Sequence, residues 1–197
     1  MARMKPIARA FFARLPHEVA PQLLGKLLVH ADGRIARLVE VESYAQDDPA
    51  AHSFIGQTPR NRSMFGPPGH WYVYQSHGIH WGSNVVCGAP GHGAGVLLRA
   101  AEPLAGLEAM RAARGLDDVR LLCAGPGRLS QAFGIDRRLD GSDLLAGDPI
   151  SLRDDGFVPE RIVAAPRIGI SKNAHAPLRF VVAGSRYLSR PLPKALR

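Results

Sequence analysis

Between positions 26 and 39 the chain reads Lys26-Leu27-Leu28-Val29-His30, Ala31-Asp32-Gly33, then Arg34-Ile35-Ala36-Arg37-Leu38-Val39. Two short apolar runs separated by Asp-Gly are a strong hairpin signal, because glycine accepts the positive φ of a tight turn. Further β-like segments occur at 71–74, 79–87, 95–101, 150–152, 167–170 and 178–183. Helical patterns are fewer. One covers 16–24, and a second opens at Glu102-Pro103, carries Leu104, Leu107 and Met110 on one stripe and closes at Gly115. A third covers 128–133, after the Gly125-Pro126-Gly127 turn, and a loop rich in Pro, Gly and Asn fills 46–69. Strands in hairpins with appended helices predict an α+β fold. We expect a single domain over 1–197: a curved antiparallel β-sheet, flanking helices and a hairpin protruding around Gln75-Ser76-His77-Gly78. Residues 1–15 are expected to form a flexible N-terminal arm.

Composition narrows the function classes. With 46% hydrophobic and 21% charged residues the chain has the balance of a packed globular protein. Two cysteines, Cys87 and Cys123, exclude a disulfide scaffold, a four-Cys zinc site and a four-Cys iron–sulfur cluster. No run of 18 apolar residues exists, so no membrane contact is expected. Arg9 and Arg14 interrupt the apolar residues of the first segment, which makes a poor signal peptide, and a cytoplasmic location is expected. The formal net charge is +8, carried mostly by arginine, since the lysines are confined to positions 5, 26, 172 and 194. Such a charge fits a protein that sits on phosphate, although codon bias toward arginine produces the same number.

The segment Leu38-Val39-Glu40-Val41-Glu42-Ser43-Tyr44 alternates, which places Leu38, Glu40, Glu42 and Tyr44 on one strand face. At about 3.3 Å per residue, Glu42 and Tyr44 stand roughly 6–7 Å apart, with room for a ring beside one and a water beside the other. An exposed strand face with ordinary glutamates accounts for the same pattern.

The motifs that follow decide between these. Ala50-Ala51-His52-Ser53, Thr58-Pro59-Arg60-Asn61-Arg62-Ser63-Met64-Phe65 and Val96-Leu97-Leu98-Arg99-Ala100-Ala101-Glu102-Pro103 succeed Glu42-Ser43-Tyr44 in order. Gly125-Pro126-Gly127-Arg128-Leu129-Ser130-Gln131-Ala132, Pro166-Arg167-Ile168-Gly169-Ile170 and Pro177-Leu178-Arg179-Phe180 continue the series. Over residues 23–189 the chain resembles the alkyladenine (3-methyladenine) DNA glycosylase family.

The resemblance implies a monofunctional base-excision-repair enzyme that flips alkylated or deaminated purines out of double-stranded DNA and hydrolyses the N-glycosidic bond. It implies no metal or other cofactor, no obligate protein partner and a monomer. Glu42 matches the general base and Arg99 the arginine that holds Glu42 and the water; a nearby cation also favours the ionised carboxylate. Tyr44, His52 and Tyr74 match the positions that enclose the flipped base, where electron-rich rings attract cationic alkylpurines. Asn84 matches a residue that excludes the exocyclic amine of guanine, and Leu97 the pocket floor. Where the family carries a bulky aromatic wedge at the hairpin tip, this chain has His77.

Two rivals are disfavoured. Metal-dependent hydrolysis through His52, His70, His77 and His80 with Glu40 or Glu42 lacks helical ligand spacing, since His77 and His80 fall in a predicted hairpin. A lyase acting through a Schiff base is opposed by four lysines that lie outside the pocket motifs. A third alternative, a non-catalytic basic nucleic-acid-binding β-domain, leaves Glu42 without a purpose.

Overall fold

The computed structural model describes residues 4–196. In chain order its strands are β1 (Lys5–Pro6), β2 (Leu27–His30), β3 (Ile35–Tyr44), β4 (Trp71–Ser76), β5 (His80–Val86), β6 (Gly95–Ala105), β7 (Ile150–Asp154), β8 (Ile162–Ala165) and β9 (Arg179–Val182). The helices are α1 (Arg9–Phe12), α2 (Pro16–Leu23), α3 (Leu107–Arg114), α4 (Val119–Leu122) and α5 (Pro126–Phe133). All nine strands join one antiparallel sheet that curls into a half-barrel, in the order β1-β7-β2-β3-β6-β5-β4, with β9 and β8 added beside β3. The α+β architecture and the protruding β4–β5 hairpin are as expected.

Strand β3 organises the sheet. Strand β6 runs along one of its edges; the other is divided between β2 at residues 35–37 and β9 at residues 40–42. Paired on both sides, β3 has its backbone polar groups satisfied, so its side chains decide what the strand does. The β2–β3 hairpin turns through Gly33 at φ 96°, whose N–H donates to the His30 carbonyl. Leu28, Leu38, Val41, Val96 and Leu98 from the sheet pack against Leu23, Met110, Leu129 and Phe133 from the helices in the main core. Burying each such side chain contributes about 1.5–3 kcal/mol.

Several expectations give way here. The pairing of β3 with β6 slips at Glu40, which lies opposite Ala100 while Leu38 lies opposite Ala101 and Val41 opposite Leu98. Leu38 therefore shares the main core with Val41, and Val39 packs instead with Ala100 and Tyr187. Strict alternation fails because a register irregularity re-aims the side chains around it. Residues 102–105 extend β6 rather than open a helix. Pro103 lies opposite Ala36, next to a second irregularity, where a missing N–H is tolerated. Helix α3 begins only after Gly106 and stops at Gly115, as expected. Helix α5 includes Pro126 as its first residue, the position where proline is best tolerated, and α4 was not foreseen. Residues 167–170 are irregular, and the strand lies just before them at Ile162–Ala165.

The expected N-terminal arm is also corrected over residues 4–15; residues 1–3 lie outside the described range. Lys5 and Pro6 pair with Asp154 and Arg153, and Phe12 is fully buried with Phe11 edge-on at 5.0 Å. Two adjacent phenylalanines make burial more favourable than solvation for this segment. Phe12→Ala is accordingly expected to lower unfolding free energy by about 3–5 kcal/mol, measured by denaturant titration. A change near zero would mean that the segment does not pack in solution.

Candidate active site

One rung of the sheet assembles the site. Glu42 on β3 pairs with Leu97 on β6, Leu97 with Asn84 on β5, and Asn84 with Tyr72 on β4. Side chains in register across antiparallel strands project from the same face. Two residues further along their strands, on that face, come Tyr44, Arg99 and Tyr74. The loop after β3 adds His52. Tyr44, His52, Tyr74, Asn84, Leu97 and Arg99 line a cleft of about 1230 Å³, and His77 lies on its rim.

Glu42 is fully buried behind this lining. Three groups that face the cleft hold its carboxylate. The Tyr44 hydroxyl donates to Oε2 at 2.8 Å, Arg99 Nη1 donates to Oε2 at 3.3 Å, and the Ile168 N–H donates to Oε1 at 2.8 Å. The expected gap between Glu42 and Tyr44 is thus bridged, because the tyrosine ring leans back along the strand. Burial, and then the charge of Glu42, push the Tyr44 hydroxyl far above its ordinary pKa, so it remains a donor.

Behind Arg99 stands a second fully buried carboxylate. Glu40 accepts from Arg99 Nε at 3.1 Å, from Arg179 Nε at 2.7 Å, and from the Ser189 N–H and hydroxyl at 2.6 and 2.7 Å. Burial opposes the charge on Arg99, but Glu42 and Glu40 together outweigh it and raise its pKa. The guanidinium is therefore a permanent cation clamped between two carboxylates.

The opposite wall is aromatic. His52 Nδ1 lies 2.8 Å from the Tyr72 hydroxyl, and its ring meets Tyr74 edge-on at 4.5 Å. Tyr72 and Tyr74 stack with centroids 5.5 Å apart. Gly82 makes this possible, since a Cβ there would fall 2.8 Å from the Tyr74 ring. Asn84 is pinned by its amide, which donates to the Tyr72 carbonyl at 3.0 Å. His77 is exposed at the hairpin tip with φ 51°, beside Ile79, which is 72% exposed.

Residues 10–186 match the family model described as Methylpurine-DNA glycosylase (MPG). The chain belongs to the methylpurine-DNA glycosylase family. It is 55% identical over 192 residues to a Burkholderia cenocepacia (strain HI2424) protein named "Putative 3-methyladenine DNA glycosylase", covering 95% of this chain and 93% of the relative. Proteins with the same name from Rhodopseudomonas palustris (strain HaA2) and Nitrosospira multiformis (strain ATCC 25196) are 54% and 52% identical. Those matches cover 94% and 88% of this chain, and 91% and 89% of the respective relatives.

Sequence reasoning missed several parts of this candidate site. Ile168 acts through its backbone N–H, which no side-chain pattern can reveal. Arg60, Arg114, Arg128 and Lys172 line the cleft, and none of its lining residues, among those described, is acidic. Lys172 lies outside the pocket motifs, as read from the sequence, and the fold nevertheless brings it to the cleft. The loop that carries His52 is tied down by Asp48, which pairs with buried Arg167 and accepts from Asn173 Nδ2 at 3.1 Å. Among the described residues no group of three or more His, Cys, Asp or Glu side chains could hold a metal ion, and no helix is long and apolar enough to cross a membrane.

The His52 tautomer follows from its partner. Burial, followed by the charge of Tyr74, pushes the Tyr72 hydroxyl well above its usual pKa, so it stays protonated. A phenol is a stronger donor than an imidazole N–H, and an imidazole nitrogen a stronger acceptor than a phenol oxygen. The arrangement expected at the 2.8 Å contact is therefore Tyr72 donating to Nδ1, with the ring proton of neutral His52 on Nε2. Burial, then the nearby Arg60, lowers the His52 pKa below 6.5. A depressed histidine contributes stability that is fully present above pH 6.5 and is lost as pH falls through the folded-state pKa. Imidazole ¹⁵N NMR is expected to show an Nε2–H tautomer at pH 7 and a midpoint below 6.5. Tyr72→Phe should remove the tautomer preference and destabilise the fold by about 1 kcal/mol. An Nδ1–H tautomer in the wild type would contradict the assignment.

Proposed function

We propose that this glycosylase flips a damaged purine, alkylated or deaminated, out of double-stranded DNA and hydrolyses its N-glycosidic bond with a water activated by Glu42. The observation that carries the reading is a fully buried carboxylate, held by three directed donors, at the back of a cleft whose lining, among the described residues, includes cations and no acid. A protein that merely binds a polyanion gains nothing from burying a glutamate there, because burial of charge is costly unless paired. The relatives' names add the substrate class, an N-alkylated adenine.

In this mechanism phosphates settle on Arg60, Arg114, Arg128 and Lys172, an attraction independent of sequence. The β4–β5 hairpin enters the duplex with His77 at its tip, and the extruded nucleotide passes into the cleft. Tyr44, Tyr74 and His52 enclose the base, Leu97 forms the floor, and Asn84 crowds bases that carry a guanine-type amine. The Nε2–H of His52 offers a hydrogen bond to the base. As the glycosidic bond lengthens, positive charge grows on the sugar and Glu42 stabilises it. The water oxygen bonds to the anomeric carbon, its proton passes to Glu42, and the bond's electron pair leaves with the base. Arg99 and the Ile168 N–H keep the carboxylate aimed. The chemistry consumes water alone, and one copy of the chain contains every group it uses.

Glu42→Gln is expected to slow base release about a thousandfold while lesion binding is retained, measured on duplexes each carrying one defined lesion. Normal excision by the variant refutes the mechanism. A wild type that binds DNA yet frees no base from any damaged duplex favours the non-catalytic binder instead. His77 is smaller than a tyrosine and stacks less well on neighbouring bases. His77→Tyr is expected to bind lesion-containing duplex about tenfold more tightly, from the roughly 1–3 kcal/mol that an aromatic platform contributes per base. Unchanged affinity in a binding titration excludes a stacking role for the tip.

A further inference from the structure

Tyr44 has two unlike faces. Tyr44 lines the cleft, and its hydroxyl donates to buried Glu42. Against the ring lies Arg167, whose guanidinium carbon is 4.5 Å from the ring centroid and whose side chain is wholly inaccessible. Arg167 does not line the cleft, so its charge sits on the inner side of the ring. Its Nη1 is satisfied by Asp48 and by the Ser43 carbonyl at 2.9 Å. Its Nε and Nη2 are buried and have no hydrogen-bond acceptor among the described residues. The Tyr44 π-face is what those N–H groups have in place of one, and only part of the cation is neutralised by Asp48.

A ring that already carries a cation on one face is a poorer platform for a second cation on the other. A base stacked on the open face places its charge roughly 8 Å from the guanidinium, close enough at the dielectric of a partly buried site to change a rate several-fold. Among the described residues no guanidinium stacks on the Tyr74 ring, although Arg99 and Arg60 act on its hydroxyl from a distance, and His52, its pKa lowered by burial and Arg60, meets that ring edge-on. We propose that Arg167 is a specificity-determining residue: held against the inner face of Tyr44, its guanidinium opposes positively charged N-alkylpurines and shifts the enzyme's preference toward neutral, deaminated purines. This rests on the proposed base pocket, and it adds a selectivity that the aromatic residues alone do not supply. On their own, those rings would favour cationic bases without restraint.

Two duplexes of identical sequence test it, one carrying 7-methylguanine (cationic) and one hypoxanthine (neutral), with single-turnover excision rates measured for each. In the charge-neutral pair Asp48→Asn with Arg167→Gln, the ratio of cationic to neutral excision is expected to rise about three- to tenfold over wild type. Asp48→Asn alone moves the charge the other way, because it strips the counter-ion and leaves the guanidinium in place; that ratio should fall by about twofold or more. Because the two variants carry opposite signs, failure of either to fold leaves the other decisive. Equal proportional loss on both duplexes, or an unchanged ratio, assigns Arg167 a purely structural role and overturns the proposal. If the wild type releases neither base, the pocket reading itself fails. If the wild type excises and Glu42→Gln does not, that reading stands whatever the ratio does.

Discussion

Arg99 clamped between Glu40 and Glu42 is the constraint on which the rest of the site depends. Two carboxylates with no solvent exposure would be intolerable alone, and charges taken out of water persist only when paired and hydrogen-bonded. The pairing is distributed over distant segments: Arg99 from β6, Arg179 from β9, the Ser189 N–H and hydroxyl from the C-terminal region, and the Ile168 N–H from the loop after β8. The slip in the ladder at Glu40 and Ala100 belongs to the same arrangement, since it leaves Arg99 between pairs and within reach of both acids. A network this extended resists piecemeal change, because removing one partner strands another charge.

Outside that network the site is organised by exclusion of negative charge. Cations stand on the rim, the wall is aromatic, and partial burial and the nearby Arg60 lower the His52 pKa. In the proposed mechanism the two functions of the cleft are thereby separated in depth. Long-range attraction to phosphate is assigned to Arg60, Arg114, Arg128 and Lys172, whose contribution salt can screen. Bond-breaking is assigned to Glu42, which has no solvent exposure.

The sheet elements were largely legible because their signals are local. Asp32-Gly33 between apolar runs names its own turn, and Gly115 ends its helix where the pattern stops. The errors fell where a long-range partner overrode a local preference. Pro103 reads as the start of a helix, yet β3 demands a partner strand as far as Ala105. The isoleucines around Gly169 read as a strand, yet the Ile168 N–H is spent on a side chain rather than a ladder. Phe11 and Phe12 lie in a segment that reads as a flexible arm until a core is available to receive them.

For the site, the sequence by itself determined the chemical inventory: Glu42, Tyr44, His52, Tyr74, Asn84, Leu97 and Arg99, in an order of motifs that pointed to a DNA glycosylase. Those residue types are visible because each carries its chemistry in its own side chain. Only the tertiary structure decided how they act on one another. It placed Glu42, Leu97, Asn84 and Tyr72 in one rung, closed the supposed gap between Glu42 and Tyr44 with a hydrogen bond, and set Arg167 against the ring of Tyr44. Register, burial and the direction of a backbone N–H arise from contacts between separate elements, some of them more than a hundred positions apart, and no local pattern encodes them.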